Sequence, residues 1–288
     1  MSRRVLGVAL VVGLAGAWPD PAAAQLAAPN AAGVAMGHLH YYVRDVDANR
    51  RFWESLGGVA SEVGGSTVLS FPGVLVFLTE GESEGGTEGS VLNHMAFRVR
   101  SLDQAAAAGL VFEVSESFPG VTNVFTPEDE RIELFDDTAT NLGFTLADGG
   151  RDAVADRHNR PLPGTIASHH FHLYLLDDDV AEAQAWYAEV FGGVAGMRWR
   201  YDAVDLPGIN INFSHNPDGG GAPTRGRMLD HIGFEVDGLE AFVERLEARG
   251  VEFDVPYTVH ATGIGYAFLT DPWGVYIELT EGLRVLGR

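Results

Sequence analysis

The sequence predicts an α+β protein of four βαβββ modules, arranged as two copies of a two-module unit. Three observations carry this reading: two histidine-bearing segments recur far apart in the chain, each is followed by an apolar-periodic stretch closed by glycine, and 36 glycines punctuate many short β-rich runs.

The first repeated segment is His38-Leu-His40-Tyr41-Tyr42-Val-Arg-Asp45, which returns as His170-Phe-His172-Leu-Tyr174-Leu-Leu-Asp177. Both are short strands. Alternation places His38, His40 and Tyr42 on one face, and His170, His172 and Tyr174 on another. A helix follows each, with Asp47 and Asp178 or Asp179 placed to cap it and Gly57 or Gly192 to stop it. Arg51-Phe52-Trp53-Glu54 answers Ala185-Trp186-Tyr187-Ala188 within those helices. Val68 to Leu78 and Ile209 to Phe213 then read as strands.

The second repeated segment is Gly89-Ser-Val-Leu-Asn-His94-Met-Ala-Phe97-Arg-Val99, against Gly226-Arg-Met-Leu-Asp-His231-Ile-Gly-Phe234-Glu-Val236. Leu239 to Arg249 is predicted helical and stopped by Gly250, whereas Leu102 to Ala108 is shorter and alanine-rich. The units end alike, Arg131-Ile132-Glu133-Leu134 matching Tyr276-Ile277-Glu278-Leu279. The predicted domains are therefore 36–146 and 168–282, joined by a polar Gly- and Pro-containing linker at 147–167.

Composition narrows the function. A net charge of −21 argues against nucleic acid as partner, since phosphate neutralisation needs clustered Lys and Arg. Residues 1–25 read as a secretory signal peptide: Arg3 and Arg4, an apolar run from Val5 to Ala17, then the small residues Ala22 to Ala24. Export is expected, to the periplasm or beyond, without a membrane span. The chain has no cysteine, so any metal site must use His, Asp and Glu.

Matching strand positions carry such residues. The expected main site is His170, His231 and Glu278, and a second set of the same kind is His38, His94 and Glu133. Two imidazoles and one carboxylate leave coordination positions open to substrate, which suits Fe2+ or Mn2+ and also Ni2+ or Zn2+. His40 and His172 read as hydrogen-bonding neighbours of the ligands, and His158 and His169 as linker or surface residues.

These residues and the Asp271-Pro272-Trp273-Gly274-Val-Tyr-Ile-Glu278-Leu segment resemble the vicinal oxygen chelate superfamily, which includes glyoxalase I, bleomycin-resistance proteins and extradiol dioxygenases. The resemblance implies modules paired into two half-open-barrel domains, each around a metal site (a glyoxalase/dioxygenase-like fold). It implies a small-molecule substrate with adjacent oxygens. Glyoxalases of the family draw ligands from four strand positions; the remaining positions here hold Phe77 and Asn212, so the three-ligand set is more similar to the extradiol dioxygenases. In those enzymes a further His acts as acid or base, and a His and a Tyr precede the Glu. His215 and His260 stand in comparable places. Ala267 and Phe268 occupy the apolar–Tyr positions, and Tyr266, two residues earlier on the same strand face, is the candidate to substitute. A glyoxalase-like isomerase or lyase is the alternative enzyme. A metal-free, antibiotic-type binding protein with Trp199, Trp273 and Tyr276 along a groove is the non-enzymatic one.

Overall fold

In a computed structural model, residues 26–107, 109–114, 118–136, 143–146, 162, 165–216 and 220–285 are described. The expected signal peptide, most of the linker and His158 lie outside them. Among the described residues no helix is long and apolar enough to cross a membrane.

The first module is β1 (Val34–Val43), α1 (Val46–Ser55), β2 (Val59–Val63), β3 (Ser66–Phe71) and β4 (Val74–Glu80). The second is β5 (Leu92–Val99), α2 (Leu102–Ala107), β6 (Val121–Phe125), β7 (Arg131–Asp136) and the short β8 (Phe144–Leu146). The third comprises β9 (Ile166–Leu175), α3 (Val180–Phe191), β10 (Val194–Arg198), β11 (Tyr201–Leu206) and β12 (Ile209–His215). The fourth comprises β13 (Leu229–Val236), α4 (Leu239–Glu247), β14 (Val255–Val259), β15 (Gly265–Thr270) and β16 (Tyr276–Glu281).

Local chemistry explains the boundaries. Asp45, rather than Asp47, caps α1 by accepting the Ala48 N–H at 2.8 Å. Gly192 closes α3 in the left-handed conformation at φ 68°. The core is apolar and shared by the helices and both sheets, with Trp53, Phe71, Phe97, Tyr187, Phe191 and Phe234 fully buried.

Two eight-stranded sheets result, in the orders β14-β15-β16-β13-β1-β4-β3-β2 and β6-β7-β5-β9-β12-β11-β10-β8. The first module is therefore sheeted with the fourth, and the second with the third. This corrects the expected grouping of 36–146 and 168–282 as self-contained units: those spans mark the sequence repeat, but neither builds a sheet by itself. The physical reason is that each seam joins the first strands of two modules antiparallel, β1 to β13 and β5 to β9. Every module offers such an edge, so the repeat does not specify the partner. The first seam is fitted by small residues: a Cβ on Gly37 would come within 2.9 Å of the Glu235 nitrogen.

Candidate metal centre and its sister cavity

The seams decide which histidines meet. Across β1 and β13, His40 lies opposite His231 and His38 opposite Gly233, and Gly233 in turn lies beside Glu278 on β16. Across β5 and β9, His94 lies opposite His172 and His170 opposite Ala96, with Glu133 of β7 beside Ala96. The structure thus groups His38 with His231 and Glu278, and His94 with His170 and Glu133. His38 and His170 are thereby exchanged relative to the sets expected from the sequence, because the first module pairs with the fourth and the second with the third.

In the first cluster the ring nitrogens converge on one carboxylate. His38 Nε2 is 2.8 Å and His231 Nε2 3.1 Å from Glu278 Oε2. Ligand atoms of His38, His40, His231 and Glu278 all lie within 4.8 Å of one another. Behind His231, Asp230 Oδ1 accepts a hydrogen bond from Nδ1–H at 2.7 Å. Burial disfavours a charged His231, but Asp230 and Glu278 outweigh it and hold the ring above its ordinary pKa. Burial likewise opposes the Glu278 charge, yet His38 and His231 keep that carboxyl well below the usual carboxylate range. His40 is different: burial, with His231 and His38 nearby, lowers it to about 3, and its Nε2 sits 2.9 Å from Thr79 Oγ1.

These residues fit a divalent cation. A carboxylate that fixes Nδ1–H of His231 leaves Nε2 as the lone pair that a metal needs. The ring of His38 is held where a Cβ at Gly233 would otherwise be. A cavity of about 280 Å³ opens over the cluster, lined by Phe77, His260, Tyr266 and Phe268 among others. Phe268 packs edge-on against His231 with centroids 5.2 Å apart. His260 Nδ1 accepts the Thr262 N–H at 3.2 Å, which leaves Nε2 to carry its proton.

His215 is not part of this group. It ends β12 in the other sheet, exposed to solvent and 3.1 Å from Asp177, and lines neither cavity described here. The expectation of a proton-moving role for it fails because the seam partner of β13 is β1, not β9. The groove expected along Trp199, Trp273 and Tyr276 is not formed: Trp199 lines the second cavity, Trp273 packs on Trp186 at 6.0 Å, and Tyr276 stacks on Phe268.

The second cluster repeats the positions of the first with different surroundings. His94 Nε2 and His170 Nε2 stand 3.6 and 3.5 Å from Glu133, longer than good hydrogen bonds. Where the first site has Asp230 and Tyr276, this one has Asn93 and Arg131. Arg131 Nη2 is 3.0 Å from His94 Nδ1 and also bonds Asn93 Oδ1. His169, expected on the surface, is buried: it stacks on Phe135, its Nδ1 is 2.6 Å from His170 Nδ1, and Arg198 Nη1 is 3.2 Å from its Nε2. The lack of a repeat partner hid it, since Gly37 holds the equivalent position. Burial lowers all three, helped at His94 by His172 and Arg131 and at His170 by His169 and the other histidines, and with Arg131 and Arg200 it takes His172 to about 3. Burial raises Glu133 to about 7.

Comparison with known proteins accords with this architecture. Residues 167–279 match the family model of the Glyoxalase/Bleomycin resistance protein/Dioxygenase superfamily. The described residues share a glyoxalase-like fold with solved structures. Two glyoxalase I mutant structures from Zea mays superpose with TM-scores of 0.61 and 0.62 at 12% and 14% identity, covering 88% of this chain and 96% and 94% of theirs. A putative dioxygenase from Bacillus subtilis superposes with a TM-score of 0.61 at 14% identity, covering 90% of this chain and 86% of that one. No curated protein matches the chain by sequence.

Proposed function

We propose that the chain is an exported, metal-dependent enzyme of the vicinal oxygen chelate type, with an extradiol-dioxygenase-like reaction on a small substrate carrying adjacent oxygens. The observation that carries this reading is the three-residue set His38, His231 and Glu278 with Phe77 at the fourth strand position, on the wall of the cavity. Phe77 offers no ligand atom, so coordination positions stay open toward the cavity. His38, His231 and Glu278 would hold a divalent ion, Fe2+ or Mn2+ in preference to Ni2+ or Zn2+, and such an ion would supply Lewis acidity toward substrate oxygens.

The chain's own groups then have distinct tasks. Asp230 orients His231 by holding its Nδ1 proton. Phe77, Phe268 and Ile264 line an apolar wall that limits water. His260, with its Nε2 proton directed away from the Thr262 turn, and Tyr266 line the same cavity and are placed to exchange protons with substrate hydroxyls. The basic, apolar and small-residue succession of residues 1–25 supports export.

The first test is metal content of the protein purified without chelator, beside His231→Ala and His170→Ala. About one iron or manganese per chain, lost in His231→Ala and kept in His170→Ala, is expected. Oxygen uptake with small catechols follows. Nickel or zinc with oxygen-independent turnover would replace this reading with a glyoxalase-like isomerase or lyase. Absence of stoichiometric metal after reconstitution would overturn the enzyme reading in favour of a binding protein.

A further inference from the structure

The second cavity has the positions of a metal site but opposite proton placement. A guanidinium can only donate. Arg131 Nη2, 3.0 Å from His94 Nδ1, therefore makes that nitrogen an acceptor and puts the ring proton on Nε2. Asn93 Oδ1 lies 2.9 Å from the same Nδ1 and would call for a proton there, but it already accepts from the guanidinium, and the charged, donor-only Arg131 decides the tautomer. On the other side Arg198 Nη1 donates to His169 Nε2 at 3.2 Å. His169 Nδ1–H then donates to His170 Nδ1 at 2.6 Å, and the His170 proton also falls on Nε2. Both imidazoles thus present N–H groups to the cavity where a metal would require lone pairs. Relative to the first site, Asn93 for Asp230 and Arg131 for Tyr276 remove one negative charge and add one positive charge beside the second histidine. Such a site disfavours a divalent cation.

The donors and acceptor that remain form an unfinished set. His94 Nε2 is buried without a protein partner, and Glu133 stands 3.6 Å from it and 3.5 Å from His170 Nε2. An oxygen resting on these atoms from the cavity side, accepting from histidine and donating to the carboxylate, is a hydroxyl. Asn212 Oδ1 is also buried without a partner on the same wall. Above this polar floor the cavity, about 450 Å³, is aromatic. Phe118 meets Trp199 edge-on at 5.4 Å, Trp199 meets Tyr201 at 5.7 Å, and Arg200 lies 4.2 Å over the Trp199 ring. Trp199 is held at φ 54° and 44% exposed, so the turn between β10 and β11 presents its ring at the mouth.

We propose that this sister cavity is a metal-free binding site for a small phenolic compound, its hydroxyl on His94 and Glu133 and its ring among Phe118, Trp199 and Tyr201. The site stands apart from the first cluster and does not depend on the reaction assigned there.

The test uses the purified His231→Ala protein, so that metal chemistry at the first site cannot contribute, with 2-naphthol as probe in calorimetric titration. One 2-naphthol per chain is expected, at least tenfold tighter than 2-methoxynaphthalene, which cannot donate, or 2-naphthoate, which is an anion. His94→Phe should weaken 2-naphthol at least tenfold. Trp199→Ala, on a surface turn that the fold tolerates, should weaken all three ring ligands. Equal binding of 2-naphthol and its methyl ether, or binding indifferent to both variants, would overturn the proposal. So would one divalent ion per chain that survives His231→Ala and disappears in His94→Ala. Loss of metal in His231→Ala with 2-naphthol bound as expected leaves both assignments intact, whereas a metal-free wild type that still binds 2-naphthol removes only the enzyme reading.

Discussion

The ring of His38 occupies the space over Gly233 that any side chain at that position would fill: a Cβ there would fall within the imidazole itself. The register places Gly233 between His38 and Glu278, so the missing side chain is what lets the imidazole come within 2.8 Å of the carboxylate. In the sister cluster Ala96 takes this place, between His170 and Glu133, and the corresponding distance is 3.5 Å. Gly233→Ala is therefore expected to push His38 aside and weaken metal binding at least as much as loss of a supporting contact does, roughly 10- to 100-fold. Metal titration of the folded variant checks this, and wild-type affinity would show that His38 is not a ligand.

A second prediction concerns Asp230. Its carboxylate accepts hydrogen bonds from His231 Nδ1–H at 2.7 Å and from the Gly226 N–H at 2.6 Å. Burial opposes its charge, but these bonds keep it below its ordinary pKa. Asp230→Asn imports the residue that the sister site has at Asn93. Metal affinity should fall about 10- to 100-fold with the fold intact, as for other partners of ligating histidines. Competition with a calibrated chelator measures it. Unchanged affinity would mean that proton placement does not separate the two sites.

The proton-moving groups can be separated from the ligands. His260→Ala and Tyr266→Phe should keep full metal content while lowering kcat by about 10²- to 10⁴-fold, the usual contribution of a positioned acid or base. His215→Ala, altering an exposed residue paired with Asp177, should leave both metal content and turnover at the wild-type level. Oxygen-uptake rates on one catechol, alongside metal analysis, give both readouts. A metal loss in His260→Ala would reassign that residue to the ligand set.

Much of this is legible in the amino-acid sequence. Repetition of His38…Asp45 in His170…Asp177 and of Asn93-His94 in Asp230-His231 gave the modules and all six cluster residues, because strand alternation fixes which face each histidine takes. The exchange of His38 and His170 was not legible, since which first strand sits beside which is a tertiary choice made at Gly37 and Gly233 rather than a local preference. Asp230 against Asn93 and Tyr276 against Arg131 were visible as sequence differences. Their meaning appeared only when Arg131 was seen on His94 Nδ1. His169 and Arg198 lie outside any repeated motif, and only the packing of β9 against β10 through β12 brings them together.

The last prediction concerns stability. Asp271, buried at the turn between β15 and β16, accepts from Tyr187 Oη at 2.7 Å and from the Trp273 and Val275 N–H groups at 3.0 and 2.7 Å. Burial nevertheless raises its pKa from 3.8 to about 6, the hydrogen bonds offsetting only part of the cost. The folded carboxyl therefore stays protonated while the unfolded one ionises. Its contribution to stability is fully present below pH 4 and is lost as pH rises through 6, by about 3 kcal/mol from a two-unit separation. Asp271→Asn removes that titration; its Oδ1 still accepts from the turn amides, and its Nδ2, in the Oδ2 place, donates to Tyr187 Oη instead of accepting from it. Urea midpoints at pH 4, 5, 6 and 7 should thus fall more steeply in the wild type than in the variant across pH 4 to 6, whatever the other groups do in both. Parallel curves would show that the Asp271 carboxyl ionises in the folded protein as easily as in the unfolded chain.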